Sequence, residues 1–77
     1  MTVEQNIRNM IDSGLHFWGP EAARLRMSGE SDAENGALLT TKAILDRIED
    51  TRLPVTESLT RLRQEARDYL RGLNVLL

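Results

Sequence analysis

The last third of the chain, from Val55 to Leu76, carries the feature that most constrains the fold. Apolar or small side chains recur there at alternating spacings of four and three residues, which places them on one side of an α-helix. Most positions between them are charged or polar. We call this set of apolar positions the terminal stripe. Its members are Val55, Leu59, Leu62, Ala66, Tyr69, Leu73 and Leu76.

The terminal stripe predicts helix packing but does not say with which partner. It can form one side of a bundle within the chain, or a seam shared with a second chain, and a small dimeric bundle would satisfy both interpretations. Three heptads are the lower limit for a coiled coil. Ala66 and Tyr69 are weaker seam residues than leucine or isoleucine.

A first helix is predicted over residues 3–18, where apolar side chains again recur at helical spacing. Thr2 and Gln5 form a capping box at its start. Gly19-Pro20 then predicts a bend, since proline has no amide hydrogen and its ring clashes with the carbonyl four residues before it. Two interpretations are open: a separate short helix over residues 21–27, or one long helix that is kinked at Gly19-Pro20.

A middle helix is predicted to follow. Ser31 and Glu34 have the spacing of a second capping box, which predicts a start near Asp32. The helix should end at residues 51–53, and Pro54 is suited to open the last helix. No stretch alternates with a period of two residues, so no sheet is expected. The predicted fold is all-α, a single domain over residues 1–77 with three principal helices, the first bent or split at Gly19-Pro20.

The size of the chain favours association. A domain of 77 residues buries a small core, and there is no cysteine that could add a disulfide or a thiolate metal site. We therefore expect a homodimer, with the apolar C-terminus and part of the terminal stripe at its interface. The N-terminal residues do not resemble a signal peptide and no segment is apolar enough to span a membrane, so a cytoplasmic protein is expected.

Two neighbouring aromatic residues, Phe17 and Trp18, stand out as candidate functional residues. Consecutive helical positions point about 100° apart, so both side chains cannot face one core, and one should be partly exposed. Trp18 can be a core anchor, or the pair can be a hot spot for a partner, since buried tryptophan is enriched in such sites.

Little in the sequence indicates chemistry. His16 and Asp12 are the one possible acid–base or metal-binding couple, without a convincing third group, and the acidic residues after Ser28 lack the order of a calcium loop. No catalytic residue, metal or cofactor is predicted. The net charge of −2 gives no general attraction to nucleic acid, and the candidate recognition helices are acidic or of mixed charge.

The leading hypothesis is a non-enzymatic module that sequesters, inhibits or chaperones a partner protein through an apolar helix face. Arginines would orient the partner at the rim. The alternative is a small dimeric DNA-binding regulator. The candidate partner-binding residues are Phe17, Trp18, Leu59, Leu62, Tyr69, Leu73, Leu76, Arg63 and Arg67.

Overall fold

The computed structural model describes residues 2–75, and this part of the chain forms a small all-α bundle without strands. Its first helix is one continuous rod with an α-helical start, a π-helical middle and an α-helical end. Two further helices follow. The elements are α1 (Val3–Asn9), the π segment (Met10–Leu15), α2 (His16–Ser28), α3 (Ser31–Ile48) and α4 (Glu57–Gly72).

The first helix continues through Gly19-Pro20 and ends at Ser28, so the interpretation as one long, bent helix is confirmed. Pro20 lies inside α2, and the wider π-helical turns immediately precede α2. Proline and π turns are both known causes of helix bending, because each disturbs the regular hydrogen-bond ladder. The capping box at the start is also confirmed: the Gln5 amide donates to Thr2 Oγ1 at 3.1 Å, and Gln5 Oε1 accepts from the Thr2 amide at 2.9 Å.

The other two helices flank this rod in opposite directions. α3 runs antiparallel to it, since Glu34 pairs with Arg26 and the later Ile44 packs over Gly14. α4 runs parallel to it, because the pair of Glu65 with Arg8 is followed by contacts of residues 69–73 with residues 16–19. The molecule is accordingly elongated, with principal extents of 40 × 19 × 19 Å.

The main core lies where α3 and α4 both pack against the first helix, around its π segment. Ile11 and Leu15 of that segment are fully buried, and Ile48 at the end of α3 is too. A second, smaller cluster joins α2 to α3 through Ala22, Leu25 and Ala37. The buried residues of the main core are Ile7, Ile11, Leu15, Ile48, Leu59, Ala66, Leu70 and Val75.

The structure packs most of the terminal stripe within the chain. Leu59 and Ala66 are buried against the first helix, while Leu62, Tyr69 and Leu73 are half-buried at the edge of the same core. Two members differ. Val55 precedes α4 and is 88% exposed, and Leu76 lies outside the described residues.

Three boundary predictions around α3 and α4 are wrong. The N-cap of α3 is Glu30, and Glu34 accepts a hydrogen bond from Arg26 at 3.0 Å instead of closing a capping box with Ser31. α3 already ends at Ile48. Pro54 does not open the last helix, because the Thr56 hydroxyl caps α4 by accepting from the Leu59 amide at 3.0 Å.

The turn after α4 returns the chain to the core. Asn74 has a φ of 58°, in the left-handed region that asparagine tolerates better than most residues. This conformation lets the Val75 amide donate to the Leu70 carbonyl at 3.1 Å, the bond of a Schellman motif. Val75 is thereby buried beside Leu70 in the core of its own chain.

Candidate partner-binding surface

The outward side of α2 presents apolar side chains to solvent. Positions 17, 20, 24 and 27 recur at spacings of three and four, so they share one side of the helix. Gly19, Ala22 and Leu25 are buried on the opposite side. Phe17 is 58% exposed and Met27 is 90% exposed, with Pro20 half-buried between them. We call this surface the α2 face; it consists of Phe17, Pro20, Arg24 and Met27, with Glu21 at its edge beside Arg24.

The aromatic pair at one end of the α2 face is held in a defined geometry. The rings of Phe17 and Trp18 meet edge to face, with centroids 5.0 Å apart and planes at 87°. Trp18 is half-buried and packs on the cluster that joins α2 to α3. The expectation that one of the two aromatic side chains is exposed is therefore confirmed. The contact with Trp18 favours this orientation of the exposed Phe17 ring, since edge-to-face pairs are favourable arrangements.

A charged pair crosses the middle of the α2 face. Arg24 Nη2 lies 2.5 Å from Glu21 Oε1, one helical turn away. This hydrogen bond lowers the pKa of the Glu21 carboxyl below its ordinary value and raises the pKa of Arg24. The α2 face thus combines two apolar anchors with one positive and one negative charge.

Three candidate residues of α4 have structural roles inside the chain. Leu59 is 1% exposed, so its side chain is not available to a partner in this fold. Arg63 donates to the carbonyls of Ile48 and Asp50, both at 2.8 Å. Arg67 pairs with Glu49. Both arginines therefore hold the end of α3 against α4. The sequence had suggested instead that they form the polar rim of a partner-binding surface.

The half-buried residues of α4 line its contact with the first helix. The Tyr69 ring lies against His16, with centroids 4.3 Å apart and planes at 33°. Leu73 packs at Gly19, where an added Cβ would lie 3.1 Å from Leu73 Cδ1. The missing side chain of Gly19 thus allows α4 to approach closely. Leu62, Tyr69 and Leu73 present only part of their surface to solvent.

His16 and Asp12 do not form a site. The His16 ring packs on Tyr69, and Asp12 pairs with Arg8 at 3.3 Å. Across residues 2–75, no group of three or more His, Cys, Asp or Glu side chains is placed to hold a metal ion. The same residues include no helix that is both long and apolar enough to cross a membrane.

The end of α1 is held to α4 by a bidentate ion pair, since Arg8 lies in the last turn of α1. Arg8 Nη1 and Nη2 donate to Glu65 Oε2 and Oε1 at 2.5 and 2.8 Å. The Arg8 hydrogen bond is the main cause that lowers the pKa of Glu65, and the positive charge of the same guanidinium lowers it further. This ion pair forms a wall of an open groove of about 520 Å³ between α1 and α4.

We expect Glu65→Gln to change how stability depends on pH. Because folding lowers the pKa of Glu65, its ionised carboxylate stabilises the folded state at pH values above 4.5, the ordinary pKa of glutamate. This contribution is lost as the pH falls below 4.5 and through the lowered pKa. Because both side chains are over 40% exposed, the contribution at pH 7 should be at most about 1 kcal/mol. Thermal unfolding should show a lower midpoint for the variant at pH 7 and a smaller difference at pH 3. Glu57→Gln, at an exposed pair with Arg61, is the control; an equal effect there would contradict the prediction.

Sequence reasoning missed two important residues. Leu70 is 3% exposed in the core, and its spacing of four from Ala66 was visible in the sequence, but the alternating pattern had selected its neighbour Tyr69. Met27 is the other. Its spacing from Phe17 through Pro20 and Arg24 would have identified the α2 face.

Comparison with known proteins identifies no relative. The sequence matches no protein-family model, and no match was found among curated proteins or solved structures.

Proposed function

We propose that this protein is a non-enzymatic module that binds a partner protein through the α2 face, and that it acts by sequestering, inhibiting or chaperoning that partner. The observation that carries the proposal is Phe17, a large aromatic side chain of α2 that is 58% exposed. Phenylalanine and methionine are both enriched in protein–protein interfaces relative to the rest of the surface. Met27 supplies a second apolar anchor ten residues later on the same side.

The surroundings of Phe17 favour binding over simple exposure. Its ring meets Trp18 edge to face, a contact that favours one orientation of the ring and so lowers the entropy lost when a partner covers it. The Glu21–Arg24 pair places polar groups beside the anchors, as in interfaces with an apolar centre and a polar rim. A partner helix or strand laid along α2 would contact both anchors.

The structure offers less support to DNA binding, the alternative function. Recognition would require arginines that are free to contact phosphates or bases. In α4, Arg61 pairs with Glu57, Arg67 with Glu49 and Arg71 with Asp68. A phosphate would have to displace these carboxylates.

The proposal is tested with a displayed library of random peptides selected on the immobilised full chain. We expect selected peptides to bind wild type and to lose at least tenfold in affinity for Phe17→Glu. Leu39→Glu is the matched control, because Leu39 is 69% exposed on α3 and lies outside the α2 face. Both variants add the same charge to an exposed apolar position.

Trp18 provides a direct readout of where the peptides bind. It is the single tryptophan of the chain and touches Phe17, so a ligand on the α2 face should shift its fluorescence emission. Circular dichroism must show that both variants keep the helical content of wild type. Peptides that bind Phe17→Glu as tightly as wild type would overturn the proposal.

A further inference from the structure

The α2 face has a pattern of side chains that is complementary to itself. Consider an antiparallel pair of α2 helices whose two-fold axis crosses the α2 face midway between Pro20 and Arg24. Position 17 of one chain then lies at the same level along the helix as position 27 of the other. Phe17 would then meet Met27 of the second copy at both ends of the contact. Sulfur–aromatic contacts of this type are favourable, and a two-fold interface repeats each contact.

The charges in the middle of the α2 face fit the same arrangement. Position 21 of one chain lies within one residue, about 1.5 Å along the axis, of position 24 of the other. Glu21 and Arg24 of the two copies therefore form a group of four charges with alternating sign. A parallel pairing would instead place each charge beside its own copy, which is repulsive.

We infer that a second copy of this chain occupies the α2 face, in an antiparallel α2–α2 contact that buries Phe17 against Met27. This inference rests on the proposed function in taking the α2 face as the interaction surface, and it names the occupant. The contact places the homodimer interface on α2, whereas the sequence had suggested the terminal stripe. Five members of that stripe, Leu59, Leu62, Ala66, Tyr69 and Leu73, already pack in the core of their own chain.

The contact area predicts a reversible dimer. One side of a helix of 13 residues provides less than the roughly 800 Å² per partner of a standard interface. We therefore expect the dimer to dissociate on dilution through the micromolar range. Sedimentation velocity of the full chain over this range should show the weight-average mass rising from that of the 8.7 kDa monomer toward twice this value.

The charged pair permits a test that separates contacts between chains from contacts within one chain. Glu21→Arg leaves two positive charges on the α2 face, and Arg24→Glu leaves two negative charges. Each variant alone should stay monomeric at concentrations where wild type is dimeric, because like charges meet across the axis. An equimolar mixture of the two should form heterodimers.

Phe17→Glu and Met27→Glu should each abolish the dimer, while Leu39→Glu should leave it unchanged. A wild-type chain that remains monomeric up to millimolar concentration would overturn the inference. So would a dimer that persists in both Phe17→Glu and Met27→Glu, or a charge-variant mixture that fails to associate. If the chain is monomeric but selected peptides still require Phe17, the inference fails and the proposed function stands. If the chain dimerises as described but no peptide binds, the inference stands and the proposed binding of a different partner protein fails.

Discussion

Ile11→Ala is expected to lower the free energy of unfolding by about 3–4 kcal/mol. Ile11 is fully buried in the π segment, at the place where α3 and α4 both reach the first helix. Truncation removes three buried carbon atoms and leaves a cavity that rigid neighbouring helices cannot fill. A chain of 77 residues has a total stability of about 4–11 kcal/mol, so the variant should lose a large part of it.

Urea unfolding followed by circular dichroism measures this effect. Leu39→Ala is the control, since it truncates an apolar side chain that is 69% exposed and should change stability by less than about 0.5 kcal/mol. Similar unfolding midpoints for the two variants would show that the π segment does not hold the core together.

Arg63→Ala should cost about 2–3 kcal/mol, a large effect for a residue outside the apolar core. The final carbonyls of a helix have no partner within it. Arg63 supplies one for Ile48, the last residue of α3, and another for Asp50 beyond it, each at 2.8 Å. Hydrogen bonds from charged donors contribute about 1.5–3 kcal/mol each when half-buried, less what water recovers after the substitution.

Two further variants test whether the geometry of the guanidinium matters. Arg63→Lys should recover only part of the loss, because a single ammonium on a flexible stem does not reproduce the planar fork that reaches both carbonyls. Arg61→Ala removes an exposed ion pair with Glu57 and should change stability by less than about 0.5 kcal/mol. If Arg63→Ala and Arg61→Ala have equal unfolding midpoints in urea, Arg63 does not hold the end of α3.

Much of the helical structure follows from local sequence. The capping box of Thr2 and Gln5 and the apolar spacing of residues 3–18 depend on neighbours within one or two turns, and both were predicted. Boundaries near Ser31 and Pro54 were less accurate, because several residues there are acceptable caps. Tertiary contacts selected among them: Glu34 is drawn to Arg26, and Thr56 caps α4 beside the start of α1.

The candidate surface was predicted only in part. The argument that Phe17 and Trp18 cannot share one core rests on helix geometry alone, and it identified an exposed aromatic residue correctly. Leu59, Arg63 and Arg67 have the composition of an interface, yet they stabilise the chain's own fold. Their spacing is the same whether the neighbouring helix belongs to this chain or to another, so spacing could not decide between these roles.

The sequence by itself therefore determined an all-α fold, a bend at Gly19-Pro20 and the amphipathic character of α4, because each depends on residues a few positions apart. That the first helix continues through the bend was shown only by the structure. Only the tertiary structure decided that α4 runs parallel to the first helix. It also decided that the buried residues of α4, Leu59, Ala66 and Leu70, share a core with Ile7, Ile11 and Leu15. The tertiary structure also left Phe17 and Met27 exposed on α2, because neither α3 nor α4 covers that side of the helix. Several helix sides in this chain are similarly apolar, so local sequence does not determine which of them pack together. The packing is decided by complementary shapes of residues far apart in the chain, such as Gly19 and Leu73.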